Sequence, residues 1–357
     1  SIVRPNIWEL EPYRCARDDY SEGVLLDANE NSIGPAVHSN SSLQLNRYPD
    51  PLHFDVKERL STFRHVKKEQ IFLGVGSDEA IDILFRIFCS PKVDNVVITP
   101  PTYGMYKVCA KVNDINIKQA PLTSEFDVDL PLLLSAIDIN TKIVWLCSPG
   151  NPTSKVIPNA IVEDLLSQFT NGVVVVDEAY IDFSGTTSAC TLIDKYPNLI
   201  VLQTLSKAFG LAGIRLGMAY GNESIIQIMN NVKAPYNVNK LTADVALSAL
   251  NDLATYHQNL VKILKEREYL LSQLRSLPFI TKIHHTDANF ILFAVPRAYD
   301  IYKTMADRGV VCRFRGSELH CTDCLRVTVG IREENDKFLH LLVAIATELG
   351  VTDKYSN

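Results

Sequence analysis

The stretch Thr204-Leu-Ser206-Lys207-Ala-Phe-Gly-Leu-Ala-Gly213-Ile-Arg215 gathers hydroxyls, a lysine, small residues and an arginine directly after an apolar run of strand length. Leu205, Ala208, Phe209 and Leu211 surround Lys207 in sequence and partly strip its ammonium of water. That lowers the amine's pKa from about 10.4 and makes it a better nucleophile toward a carbonyl carbon, the first requirement of Schiff-base chemistry. An isolated Ser-Lys pair also fits a lysine whose stem lies on the surface with its charge in water. The choice between the two depends on the other segments.

Asp177 ends the run Val173-Val-Val-Val176. A carboxylate buried there costs several kcal/mol unless a cation faces it. Gly74-Val-Gly76-Ser77-Asp78-Glu79 opens an amphipathic segment. Its glycines let the backbone approach an anion and its first N–H groups can hold a phosphate, with Ser77 as expected N-cap. As a dinucleotide fingerprint it fails, because Glu79 replaces the third glycine and Asp94 precedes the next strand instead of following it. Taken alone, this motif reads most simply as an ordinary capped helix with Asp78 and Glu79 at its positive end. Ser148-Pro-Gly-Asn151-Pro-Thr-Ser154 is a stiff turn that presents Asn151.

These loops need a scaffold, and the chain from about 70 to 220 supplies one. Asn95–Thr99, Ile143–Cys147, Val173–Asp177 and Leu199–Thr204 are β-branched and almost uniformly apolar, as strands covered on both faces must be. Asp78–Cys89 and Asn159–Phe169 between them carry apolar residues at helical spacing. The pattern predicts βαβ units and a mostly parallel central sheet flanked by helices, whose ligand crevice lies beyond the carboxyl ends of the strands. After about 240 a long helix, Tyr256–Leu277, runs to Pro278; short strands Phe290–Ala294, Val310–Phe314 and Leu325–Val329 follow, then a last helix from Glu333 to Leu349. We expect an N-terminal segment over 1–40 packing on the small domain or a partner, a large α/β domain over 41–245 and a smaller α+β domain over 246–357.

The 357 residues are 46% hydrophobic and 21% charged, which suits a globular protein and excludes disorder. A net charge of −6 offers no field to gather phosphodiester backbones, so no nucleic-acid partner is expected. No aliphatic run approaches the roughly 18 residues of a spanning helix, and Glu9 and Glu11 interrupt any leader, so a cytoplasmic protein with no membrane partner is expected. The eight cysteines, at 15, 89, 109, 147, 190, 312, 321 and 324, have no regular spacing and are expected to be reduced. Cys321-Thr-Asp-Cys324 with His320 falls short of the four ligands of a structural zinc, and no metal is expected.

Together these segments resemble the pyridoxal-phosphate-dependent aminotransferases of fold type I, class II, and among them the histidinol-phosphate aminotransferases. The resemblance runs through Leu10-Glu-Pro-Tyr13, Leu26-Asp-Ala-Asn29-Glu30, Asn46-Arg-Tyr48-Pro-Asp, Pro100-Pro-Thr-Tyr103-Gly-Met-Tyr106 and Leu325-Arg326-Val-Thr-Val-Gly-Ile-Arg-Glu-Glu. It implies that Lys207 binds pyridoxal 5′-phosphate covalently and, once released, acts as the base; Asp177 would pair with the ring nitrogen, Asn151 and Tyr180 with the phenolic oxygen, and Tyr103 would stack on the ring. Ser77, Asp78, Thr204, Ser206 and Arg215 would hold the cofactor's phosphate, with Tyr48 donated across the interface of a homodimer. Arg326, Arg313 and Tyr13, with Asn151 and Tyr48, would bind the substrates: L-histidinol phosphate in one half-reaction, 2-oxoglutarate or glutamate in the other. The family's loop usually reads Asn-Asn-Pro-Thr-Gly, where this chain has Gly150-Asn-Pro-Thr-Ser154.

The implied activity is histidinol-phosphate transamination in histidine biosynthesis. An aromatic amino acid aminotransferase or a threonine-phosphate decarboxylase of the same fold differs at few residues. The intact set Asn151, Asp177, Tyr180, Lys207, Arg215 and Arg326 argues against a regulatory protein that has lost the reaction.

Overall fold

The computed structural model describes residues 2–11, 27–36 and 43–352. Seven strands make the larger sheet: β1 (Ile71–Val75), β2 (Asn95–Ile98), β3 (Asn116–Gln119), β4 (Thr141–Cys147), β5 (Val173–Asp177), β6 (Leu199–Thr204) and β7 (Leu216–Gly221). Their order is β1-β7-β6-β5-β4-β2-β3. β3, β2, β4, β5 and β6 run parallel, while β7 is antiparallel to both β6 and β1. The expected parallel, doubly covered sheet is therefore present, with one reversed strand near its edge.

The valine run of β5 shows why the sheet is buried on both faces. Val173 and Val175 enter one core beneath the helices Gly76–Phe88 and Met105–Val112, whereas Val174 and Val176 enter the other beneath Asn159–Gln168. Ile143, Trp145 and Cys147 of β4 divide from Val144 and Leu146 in the same way, as the two-residue period of a strand requires. β1, β3 and β7 are not among the strands expected from the sequence. β3 is a short, part-exposed edge strand, Asn-Ile-Lys-Gln, without an apolar run, and β7 is interrupted by Gly217 and Gly221.

Four antiparallel strands make the smaller sheet: β8 (Lys282–Ile283), β9 (Phe290–Ala294), β10 (Arg313–Phe314) and β11 (Cys324–Thr328), in the order β10-β11-β9-β8. One face packs Ile291, Phe293, Leu325 and Val327 against the helices Leu253–Ser276 and Arg332–Glu348. The alternate residues Leu292, Ala294 and Cys324 form a separate cluster on the other face, where the same alternation places Arg326. The strand expected over 310–314 is reduced to two residues. Val310 N–H is taken by Met305 C=O at the exit of the helix Ala298–Asp307, so the preceding backbone cannot join the ladder.

Arg4 N–H donates to Ile87 C=O at 3.0 Å, and Val3 is buried in the core beside the helix Gly76–Phe88. This end of the N-terminal segment packs on the larger sheet's helices, not on the smaller unit, because its apolar residues Ile2, Val3 and Ile7 match that core. The described cysteines are buried free thiols; Cys15 lies outside the described residues.

Candidate active site

A cavity of about 380 Å³ opens beyond the carboxyl ends of the larger sheet's parallel strands. Its walls come from four loops: Ser77 and Asp78 after β1, Asn151 after β4, Asp177 and Tyr180 at the end of β5, and Ser206 and Lys207 after β6. Arg313, Arg315 and Arg326 from the smaller sheet form the opposite wall. Segments that are distant in sequence are thus brought together where an open parallel sheet places its ligands.

One end of the cavity is built for an anion. The helix Gly76–Phe88 begins two residues earlier than expected, with Val75 and not Ser77 as its N-cap. Glu79 reaches back to accept from Val75 N–H at 2.5 Å, so Ser77 lies in the first turn and its hydroxyl can line the cavity. Gly217 of β7 lets that turn sit directly against the strand: a Cβ there would collide with Ser77 N and the Gly76 carbonyl. Gly76 has φ +70°, and a Cβ on it would press 2.6 Å from an Arg215 guanidinium nitrogen. Arg215 also reaches Ser206 Oγ at 3.4 Å and Asp78 at 3.4 Å. Thr204 Oγ1 accepts from Ser206 N–H at 3.1 Å, which fixes the start of the lysine loop.

The middle of the cavity holds Asp177. Its carboxylate is buried, accepting from Tyr106 O–H at 2.7 Å and from Ala179 N–H at 3.2 Å. Burial pushes its pKa from 3.8 up to about 6, against the pull of those two hydrogen bonds. Neither partner is a cation, so the positive group that the sequence asks for at Asp177 is not supplied by its hydrogen-bonding neighbours. Tyr106 is not among the site residues expected from the sequence. The available signal was a tyrosine on the buried stripe of an amphipathic helix, whose hydroxyl must find a partner; it stacks on Trp145 at 4.7 Å. Tyr103 stands edge-on to Tyr106 at 5.7 Å and donates to Asp78 at 3.1 Å.

Lys207 sits in a tight turn closed by Gly210 N–H donating to Lys207 C=O at 2.9 Å. Its pKa is lowered, chiefly by burial and then by the neighbouring charges of Arg326 and Arg215. The ammonium nitrogen lies 5.4 Å from the centre of the Tyr180 ring. Tyr180 is itself buried against Phe290, edge to face at 5.1 Å, and burial raises its hydroxyl to about 12.

At the far end, Arg326 donates from Nη1 to Asn151 Oδ1 at 2.5 Å. Arg313 is its cross-strand neighbour on β10. The loop carrying Asn151 departs from the family's glycine at Ser154, and the structure shows how. Ser154 has φ +61°, a left-handed conformation that favours glycine, and its hydroxyl accepts from Ala288 N–H at 3.0 Å and pairs with Thr286 at 2.9 Å. Those bonds tie the loop to the residues just before β9.

Of the residues singled out from sequence, Ser77, Asp78, Tyr103, Asn151, Asp177, Tyr180, Thr204, Ser206, Lys207, Arg215, Arg313 and Arg326 all line this cavity. Tyr48 does not. It is half exposed and stacks on Tyr236 at 4.5 Å. Tyr13 lies outside the described residues. Cys147 and Arg315 line the cavity without having been assigned a role there. Among the described residues, no group of three or more His, Cys, Asp or Glu is placed to hold a metal ion, and no helix is long and apolar enough to cross a membrane.

Residues 19–342 match the family model described as aminotransferase class I and II. The chain is 45% identical over 344 residues to histidinol-phosphate aminotransferase of Cytophaga hutchinsonii, covering 96% of this chain and 97% of that protein. It is 43% identical over 362 residues to histidinol-phosphate aminotransferase of Saccharomyces cerevisiae, covering 94% of each. The crystal structure of histidinol-phosphate aminotransferase from Sinorhizobium meliloti in complex with pyridoxal-5′-phosphate superimposes with a TM-score of 0.79 at 22% identity, over 90% of each chain. That identity speaks to the fold alone.

Proposed function

The chain belongs to the class I and II aminotransferases and, within them, to the histidinol-phosphate aminotransferases, and from that membership we propose that it is a pyridoxal-phosphate-dependent transaminase. It passes the amino group of L-histidinol phosphate to 2-oxoglutarate, giving imidazole acetol phosphate and L-glutamate, a step of histidine biosynthesis carried out in the cytoplasm.

The observation that carries this reading is the buried carboxylate of Asp177 held without a cationic hydrogen-bonding partner at the floor of a cavity that also holds a desolvated lysine. A protonated ring nitrogen is the partner that makes such a carboxylate stable in its charged form. The phosphate of the same cofactor fits the opposite end, where Ser77, Thr204, Ser206 and Arg215 offer hydroxyls, backbone N–H groups and a guanidinium at a helix start.

Pyridoxal 5′-phosphate, when bound, supplies an aldehyde that carries the amino group and a ring that accepts the electrons freed by proton loss. The protein's part is orientation and proton movement. Asp177 keeps the ring nitrogen charged, and Tyr106 holds that carboxylate in place. Tyr103 would stack on the ring, while Asn151 and Tyr180 would hydrogen-bond its phenolic oxygen. Lys207 Nζ, whose lowered pKa leaves more of it as the free amine, removes the proton from the amino-bearing carbon of the substrate. Arg326 and Arg313, with Tyr13, clamp the phosphate of histidinol phosphate, and in the other half-reaction Arg326 clamps a carboxylate of glutamate. Tyr48, half exposed and away from its own chain's cavity, would reach the cofactor phosphate of a second subunit in a homodimer.

Visible absorption of the purified holoenzyme tests the assignment. The cofactor band is expected to be lost when L-histidinol phosphate is added and to return with 2-oxoglutarate. Phenylalanine and threonine phosphate, added at equal concentration, are expected to act far more slowly. Turnover of either in preference to histidinol phosphate overturns the substrate assignment.

A further inference from the structure

We propose that Arg315, fixed in place by Glu318, is a specificity-determining residue: a third guanidinium that favours a phosphate monoester over a carboxylate at the anion end of the pocket. The proposal rests on the substrate assignment above and deepens it.

Arg315 follows β10 directly. Its N–H donates to Cys324 C=O at 2.8 Å, which prolongs the β10–β11 ladder by one residue. The two-residue period of a strand then puts Arg315 on the same side as Arg313, whose cross-strand neighbour is Arg326. All three side chains line the cavity, and Arg313 and Arg315 also line an adjoining space of about 720 Å³ that meets it at Tyr103 and Asn151. Arg315 therefore stands at the junction of the two.

Glu318 gives Arg315 a fixed position. Its carboxylate accepts from Arg315 Nη1 at 2.7 Å, with both side chains about four-fifths buried. Glu318 cannot drift, because its own N–H donates to Arg315 C=O at 2.9 Å and its C=O accepts from Cys321 N–H at 3.1 Å, in a loop closed by Cys324 N–H on Cys321 C=O.

The cluster is left with unspent donors and unbalanced charge. Arg315 Nε and Arg326 Nε are both buried and make no hydrogen bond within the protein. Asn151 occupies one N–H of Arg326 and Glu318 one of Arg315. Three guanidiniums on this face meet one carboxylate, an excess of positive charge in a partly desolvated place that an anion would relieve. A carboxylate has two oxygens, and one guanidinium fork satisfies it; a phosphate monoester has three and a larger charge, so further guanidiniums add more to its binding. A third arginine accordingly separates the two substrates that share the pocket.

Arg315→Gln and Arg315→Lys holoenzymes, assayed in each half-reaction separately, test this. Arg315→Gln is expected to lower kcat/KM for L-histidinol phosphate about tenfold or more, the size of one charged hydrogen bond and chiefly through KM, and that for glutamate about threefold or less. Inorganic phosphate, used as a competitive inhibitor, is expected to weaken in parallel, and Arg315→Lys to restore only part of the loss because it returns the charge without the fork. Equal losses in both half-reactions, a loss confined to glutamate, or no change in either overturns the proposal. The glutamate half-reaction also reports whether the variant is folded. Failure of the unaltered enzyme to use histidinol phosphate would instead overturn the substrate assignment, so the two failures are distinguishable.

Discussion

Arg326 and Asn151, 175 residues apart in the chain, are joined by a 2.5 Å hydrogen bond from a guanidinium nitrogen to an amide oxygen. The bond links β11 of the smaller sheet to the loop after β4 of the larger one, so the arginine proposed to bind the substrate's anion and the loop proposed to lie beside the cofactor hold each other in register. Asn151→Ala is expected to raise KM for histidinol phosphate about tenfold while also speeding cofactor dissociation. Steady-state kinetics and cofactor release on dilution check both; faster cofactor release with KM unmoved would count against the link.

The charge on Asp177 has a consequence for stability. Its folded-state pKa of about 6 lies above the ordinary 3.8, so the folded protein holds this proton more tightly than the unfolded chain between those values. Stability therefore falls as pH rises through that window. Asp177→Asn is expected to stabilise the cofactor-free protein at pH 8 by roughly 3 kcal/mol at most, with the gap closing below about pH 4, while transamination is lost. Melting curves of both cofactor-free proteins at the two pH values decide it; a gap that does not depend on pH would sink the argument.

Tyr106 supports the charged form of Asp177 by donating to it. Tyr106→Phe removes that donor and is expected to carry the acid limb of the kcat profile upward by as much as about one pH unit. A profile recorded from pH 5 to 9 provides the check. A fall in rate that is uniform across pH would show that Tyr106 only fills space.

For Lys207, replacement by Ala is expected to slow each half-reaction about a thousandfold or more, with partial rescue by small primary amines added to the buffer. Rapid-mixing absorbance is the measurement. A variant that keeps its full rate would remove the lysine from the chemistry.

Subunit mixing addresses Tyr48. Lys207→Ala and Tyr48→Ala proteins, each weak alone, are expected to regain about a quarter of full activity after equal mixing and reassociation, because each mixed dimer holds one intact site. Activity no higher than the mean of the two parents would rule out a tyrosine shared between subunits.

The sequence made β5 and β6 easy to read because strands covered on both faces can tolerate little but apolar residues, and Val173–Val176 satisfies both cores at once. Asp177 and Lys207 were legible for the opposite reason: a charge at the edge of such a run is expensive and needs an explanation. Tyr106 was hidden because a tyrosine on a buried helical stripe looks like packing until its hydroxyl is traced to Asp177. β7 escaped because its Gly217 serves a close approach to Ser77 and not strand propensity. Arg315 was visible only as a neighbour of Arg313, since its role depends on a loop that folds Glu318 back onto it.

The residues proposed to face the cofactor stand mostly on the larger sheet and the three arginines on an antiparallel ladder with a core of its own. Selection can therefore rewrite what the enzyme recognises by editing a few positions of one hairpin, while the supports of the reactive lysine stay as they are. A catalytic centre divided in this way can diversify in substrate without reinventing its chemistry.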